Sequence, residues 1–322
     1  LDIYIKNSLS PTEVFDTYWH FAYKRQRIFM KRVHAETSPW TDDPILNKFK
    51  FTNAYRASDR VSQYLIKNVI YSSVEREEDI LFRILLFKTF NKIGTWKYLS
   101  EKLGEISYTS YRRKNYSEAL NELYCSGNTL YSGAYIMASG KTEFGNDRKF
   151  ENHLDLIELI MKSGLSNKIS NCDSLKELYE VLLMYPTIGT FLAYQYAIDI
   201  NYSELCNFDE MEFVVAGPGA KSGIKKCFKN VGTYSESDII RYMADNQEKE
   251  FEIRGLNFDY LWGRKLQLID CQNLFCETDK YARVAHPEII GTSNRTRIKQ
   301  IFSENHEKIE LFYPPKWNLT MR

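Results

Sequence analysis

No apolar run in this sequence approaches the eighteen or so residues that a membrane-spanning helix needs, so a helical transmembrane anchor is not expected. Leu1 to Ser10 lack the charged-then-apolar layout of a signal peptide, and a soluble cytoplasmic protein is the expectation. Cysteine pairs of the CxxC kind are missing. The six cysteines (125, 172, 206, 227, 271 and 276) are scattered, which fits reduced thiols better than a disulfide frame or a zinc site. The five histidines form no ligand pattern, so no metal is expected. A phosphate-binding loop is also lacking. Gly140-Lys141-Thr142 resembles the end of a Walker motif, but Tyr135 stands where its first glycine would be, and no cofactor is expected. No alternating run is long enough to build a large sheet.

An excess of charge of one sign is absent too, since the formal net charge is only +1. The distribution is more telling. Basic residues gather at Lys24 to Arg32, Arg112 to Lys114, Lys221 to Lys229 and Arg295 to Lys299, while acids gather at Glu75 to Asp79 and Glu248 to Glu252. Segregation of this kind can give one face a phosphate-attracting potential, although any single cluster is most simply a solvated surface. Aromatic residues make up 15% of the chain, with 23 tyrosines, enough for a core and for stacking on bases.

The pattern reads as helix after helix. Helical spacing of Val14, Phe15, Tyr18, Phe21 and Ala22 predicts a helix from about Pro11 to Arg32. Others are expected at about 53–69, 77–91, 117–125, 151–164 and 173–184. The 77–91 helix is apolar almost all round and therefore central, and Gly94 is expected to end it. The fold class is mainly α, a single two-lobed helical domain over 1–322.

The strongest local signal runs from Leu182 to Ala193. Pro186 stops one apolar helix, Ile188 plugs the gap, Gly189 permits a tight turn, and Thr190 opens a second apolar helix. Backbone N–H groups at that second start can hold a phosphate. The segment looks like a helix-hairpin-helix of the form Leu-Pro-Gly-Ile-Gly, with Thr187 in place of the first glycine. The plain alternative is an ordinary helix–turn–helix connection. Helix-hairpin-helix DNA glycosylases carry an aspartate 23 residues after the hairpin proline, and here that position is Asp209. Asp209, with Glu210 beside it and Glu212 as a third possibility, is the catalytic candidate, able to oppose a cationic sugar. Phe191 replaces the Schiff-base lysine of bifunctional members, so lyase chemistry is not expected. A Gly-Pro-Gly loop follows, where Gly217, Gly219 and Lys221 suit close approach to a phosphate chain. Hairpin and loop together span about 176–230.

Several blocks occur in order: Lys50 to Tyr64, Leu86 to Asn91, Gly133 to Ile136, Asp209 to Ala220, and Gln272 to Tyr281. Together they resemble the group described as alpha-glutamyl/putrescinyl thymine pyrophosphorylase-like, or 5-hydroxymethyl-deoxyuridine DNA kinase helical domain. That group is regarded as a derivative of the helix-hairpin-helix glycosylase superfamily. The resemblance covers roughly residues 45–285. It implies a helical helix-hairpin-helix DNA glycosylase-like fold and double-stranded DNA with modified bases as partner. The kinase members carry a separate P-loop domain, which is not found in this sequence, so kinase activity is not expected. Within these blocks, Tyr55, Arg56, Asp59, Arg60 and Gln63 are candidates for contacting a base edge or phosphate. The last four are spaced for one helical face, where a salt-bridge strip is the bland alternative. Glu277, Lys280 and Tyr281 are candidates for a second pocket wall.

Three readings follow, in this order. The first is a monofunctional DNA glycosylase that flips out and excises a 5-substituted, phage-type pyrimidine, in a setting such as defence against phage. The second is a transferase that attaches a group at an activated 5-hydroxymethyl pyrimidine. The third is a DNA-binding module without catalysis.

Overall fold

The computed structural model describes residues 9–72, 76–305 and 309–321, and over these the chain is mainly helical. Most of the Leu1–Ser10 segment, Glu75 and His306 lie outside the described residues. The chain divides into two compact units: 1–59 with 214–311 and 319–322, and 60–213 with 312–318. No helix among the described residues is long and apolar enough to cross a membrane. The six cysteines are free thiols.

The first unit is organised by the helices Glu13–Val33, Pro218–Cys227, Glu236–Ile253 and Leu268–Ala285. The hydroxyl of Thr12 accepts the N–H of Val14 at 3.1 Å, which caps the first of these. Acids in its first turn and Lys31 and Arg32 in its last complement the helix dipole. Its apolar stripe buries Tyr18, whose ring lies 4.7 Å from that of Phe275. Pro218–Cys227 replaces the glycine-rich loop expected here. Pro218 sits at the first helical position, where its missing N–H costs nothing, and Gly217 is the cap. Gly219 and Gly223, four residues apart, face one neighbour. A Cβ at Gly223 would stand 2.1 Å from the carbonyl oxygen of Phe275, and one at Gly219 2.9 Å from Cys276 Sγ. The glycines therefore permit close approach to a helix. A short antiparallel ribbon pairs Ser10–Pro11 with Phe228–Asn230.

The second unit centres on Glu77–Phe90, which is buried on nearly every side, as its all-round apolarity predicts. Asn91, in the left-handed region at φ 48°, ends it. Gly94 lies inside the next helix, Ile93–Leu103, and is not the breaker expected of it. The other expected helices stand as Arg113–Cys125, Lys149–Lys162 and Leu175–Leu183, the last capped by Ser174. The continuous helix expected over 53–69 is broken. A 3-10 turn at Arg56–Ser58 ends on extended backbone at Asp59, and Arg60–Tyr64 and Leu65–Ile70 follow, the latter with a π-type pattern. Asp59 and Arg60 consequently belong to different units, so Arg56, Asp59, Arg60 and Gln63 do not share one helical face.

Candidate functional site

In the second unit, Leu175–Leu183 and Thr190–Asn201 pack together as a helical hairpin joined by residues 184–189. Ile188, expected as the plug between them, is 4% exposed. Thr187 has φ 67°, a strained value for a β-branched residue. It occupies the position of the missing first glycine, so the turn keeps a left-handed bend despite the substitution. Gly189 and Thr190 are exposed, and a side chain at Gly189 would project into open space. The helix Thr190–Asn201 thus starts at an exposed position, and the leading N–H groups of a helix start are suited to a phosphate.

The acidic segment beyond this helix is held by Asn201, whose side chain accepts the N–H of Phe208 at 2.9 Å and donates to its carbonyl at 3.0 Å. Asp209 is exposed and accepts the N–H of Met211 at 2.8 Å, the bond of a turn-forming aspartate. Glu212 is exposed as well, whereas Glu210 is only 6% exposed.

The same unit contains a charged cluster that residue patterns alone did not single out. Lys88, on the central helix, pairs with Asp199, on the second hairpin helix, at 2.9 Å, and both are almost fully buried. Tyr135 lays its ring 3.8 Å from the Lys88 ammonium, and the hydroxyls of Thr89 and Tyr196 meet alongside at 2.9 Å. Lys88 lies in the Leu86 to Asn91 block, but a lone charge in an apolar stripe does not reveal its role until its partner is located. A groove of about 300 Å³ lies elsewhere in this unit, between Tyr111, Arg113, Glu158 and Lys162. Its charges are largely spent on one another, Arg113 on Glu151 and Asp155 and Lys162 on Glu158.

In the first unit, the blocks around 50–59 and 270–281 come together. Thr52 donates its N–H to Glu277 at 2.9 Å, Asn53 donates its own to Asp59 at 2.7 Å, and Arg56 donates its own to Asp270 at 2.7 Å. Arg25 reaches the carbonyl of Thr52 and the side chain of Asn53, and burial draws it down to about 10. Burial, with Glu277 adding repulsion, pushes the Asp59 carboxyl up to about 7 against the pull of its Asn53 hydrogen bond and of Arg25. Lys280 pairs with Glu277 at 2.8 Å and lies over the Phe51 ring, and Tyr281 donates to Asp43 at 2.7 Å. Tyr55 has a framework role, its hydroxyl donating to the carbonyl of Arg264 at 2.5 Å. Lys221 is exposed, and Gly217 is buried at a helix cap. Among the described residues, Glu13, His286 and Glu288 could offer a metal one ligand atom each, but the two acids are exposed and such surface sets are common without an ion.

Both units are built from helices, and sequence blocks singled out above come together within each of them. The chain belongs to the family described as "5-hmdU DNA kinase, helical domain", which it matches over residues 12–291. It is 28% identical over 286 residues to the 5-hmdU DNA kinase of Bacillus phage SP10; the match covers 83% of this chain and 45% of that protein. No solved structure matches it significantly. These findings overturn the first functional reading. A kinase transfers a phosphoryl group and leaves the glycosidic bond intact, so the glycosylase and hydrolase assignments fall. With them falls the reason for giving Asp209 and Glu210 an oxocarbenium to oppose. The transferase alternative comes nearer, but attaching a group at an already activated 5-hydroxymethyl pyrimidine is not the reaction of a kinase.

Proposed function

We propose that this chain is the DNA-engaging helical part of a 5-hydroxymethyl-deoxyuridine DNA kinase, holding duplex DNA so that the hydroxymethyl group of a modified uracil meets a phosphoryl donor. The observation that carries this reading is the family match over residues 12–291. The hairpin supports it, with Ile188 as plug and the exposed Gly189 and Thr190 as the phosphate grip. The likeness to helix-hairpin-helix glycosylases, on this reading, concerns the grip and not the reaction. Lys221 and Lys280 in the first unit, and Arg60 in the second, are the further candidates for contacting DNA, whereas Arg56 is buried and Gln63 is buried with its side chain accepting the N–H of Phe312 at 2.7 Å.

The chemistry asks for little covalent help from protein. The hydroxymethyl oxygen attacks the terminal phosphorus of a nucleoside triphosphate, the bond to the diphosphate breaks, and the hydroxyl proton passes to a base. Positioning and charge stabilisation supply most of the rate. A substituent at C5 of the pyrimidine lies in the major groove, where the acceptor hydroxyl can be recognised directly. Donor binding is not assigned to Gly140-Lys141-Thr142. Gly140 there is a left-handed cap, and Lys141 is paired with Asp147 at 2.7 Å.

Fluorescence anisotropy on matched duplexes containing thymine or 5-hydroxymethyluracil tests the reading. Tighter binding to the hydroxymethylated duplex, weakened by salt, is the expected result. Equal binding to both duplexes at every salt concentration would refute base-selective engagement.

A further inference from the structure

The blocks Leu86–Asn91 and Gly133–Ile136 take no part in the grip described so far, yet the structure joins them. Lys88 and Asp199 form their buried pair beneath the loop, and Tyr135 closes over it with its ring 3.8 Å from the ammonium. Tyr135 holds φ 54°, a left-handed conformation that an ordinary residue keeps only where its surroundings impose it. Its ring runs near-parallel to that of Phe191, at 5.9 Å and 12°, and Phe191 is the second residue of the helix whose first turn forms the grip.

Both ends of the loop are fixed by one side chain. His153 Nε2 donates to the carbonyl of Ala138 at 2.8 Å, which leaves Nδ1 to accept from the Tyr131 hydroxyl at 2.9 Å. His153 is fully buried, and burial pushes its pKa down to about 4, so this neutral arrangement persists across the physiological range. The loop is therefore tied at Tyr131, at Tyr135 and at Ala138. What it holds out is Ile136, 73% exposed. A scattered exposed isoleucine needs no explanation. One that follows a strained tyrosine, anchored on a buried ion pair and stacked on the helix that starts the phosphate grip, is placed to meet what the grip binds. Next to a held phosphate, the apolar surface within reach of an aliphatic side chain is that of the bases.

We propose that Ile136 enters the base stack of bound DNA, and that Lys88 and Asp199 are positioning residues that hold it there through Tyr135. This rests on the DNA-engaging function proposed above. It adds a specific element for acting on the base that carries the hydroxymethyl group.

The test places 2-aminopurine beside 5-hydroxymethyluracil in a duplex, so that unstacking raises its fluorescence, and measures affinity by anisotropy on the same DNA. The chain should produce a rise at saturation. Ile136→Ala should reduce that rise roughly fivefold or more while changing affinity less than about threefold, and Ile136→Leu should restore it. Tyr135→Gly relieves the backbone and removes the ring, so it should fold and still lose the signal, whereas Tyr135→Phe should keep it. Lys88→Met with Asp199→Leu replaces the pair by apolar groups and should retain cooperative unfolding but lose the signal. A full rise with Ile136→Ala, or tight binding of the unaltered chain with no rise, overturns the stack-entry proposal and leaves the grip standing. A full rise in both Tyr135→Gly and the double variant overturns the positioning role. Failure of the unaltered chain to bind any duplex removes the DNA-engaging function itself.

Discussion

Each unit buries a lysine–aspartate pair, and the two pairs are built differently. In the first unit, Lys226 meets Asp279 at 3.2 Å, Arg283 holds the other carboxylate oxygen at 2.7 Å, and Ser222 donates to Asp279 at 2.7 Å. Gly291 is pressed so close that a Cβ would strike Ser222. Every neighbour there is framework, between helices that glycine brings together. In the second unit, Lys88–Asp199 is covered by the ring of a strained, half-buried tyrosine next to an exposed isoleucine. Burial of charge alone does not mark function, because a pair enclosed by framework explains itself. A pair whose cover is strained and reaches solvent calls for a further reason.

The largest expected effect breaks the framework pair. Asp279→Asn leaves two cations without their counter-charge and should cost about 3–5 kcal/mol in urea unfolding. Replacing Lys226 and Asp279 together by Met and Leu should recover only part of that loss, because Arg283 still lacks its counter-charge, and leave DNA binding unchanged. The same double replacement of Lys88 and Asp199 should be milder in stability but alter the DNA response.

Next comes pH, which separates the units by sign. His153 has a folded pKa near 4 against an ordinary value of 6.5. The unfolded chain therefore takes up its proton first, and the stability from neutral His153 is present above about 6.5. It is lost as pH falls towards 4, about 3 kcal/mol in all. Asp59 in the first unit runs the other way. Its carboxyl is raised to about 7 from 3.8, so its contribution is present below 3.8 and is lost as pH rises through 7. Urea melts from pH 4 to 8 should show the acid-side loss diminished in His153→Gln, and the alkaline-side loss diminished in Asp59→Asn.

Gly223→Ala should cost about 1–3 kcal/mol by forcing two helices of the first unit apart, read as a lowered unfolding midpoint. Smallest is Thr187→Gly in the second unit. Relief of a left-handed threonine is partly offset by the entropy of glycine, and a net gain of under about 1 kcal/mol is expected, with duplex affinity unchanged.

These contrasts also show what the sequence made legible. Period and caps carried most helices of the second unit, because an apolar stripe and a Ser174 cap act locally. The hairpin was visible for the same reason, since proline, isoleucine and glycine each impose a short-range constraint. Pro218–Cys227 was misread as a loop because glycines suit either a phosphate or a neighbouring helix, and only the position of Phe275 decides between them. The 53–69 segment kept helical spacing, yet hydrogen bonds from Asn53 to Asp59 and from Arg56 to Asp270 bend it, and the second partner is remote in sequence. Lys88–Asp199 was hidden likewise, its members lying 111 positions apart. The glycosylase reading failed at another level. Spacing from Pro186 to Asp209 carries no information about which bond is broken, and the family match points to a different reaction.

The central claim, that the hairpin unit holds DNA, is tested most directly by Gly189→Asp. The substitution puts a carboxylate into open space at the start of Thr190–Asn201, where the fold has room for it and a phosphate does not. Anisotropy titrations on a 5-hydroxymethyluracil duplex across a salt series should show affinity falling at least about tenfold and the salt slope becoming shallower, with thermal unfolding unchanged. An unaltered affinity and salt slope in the folded variant would contradict the claim.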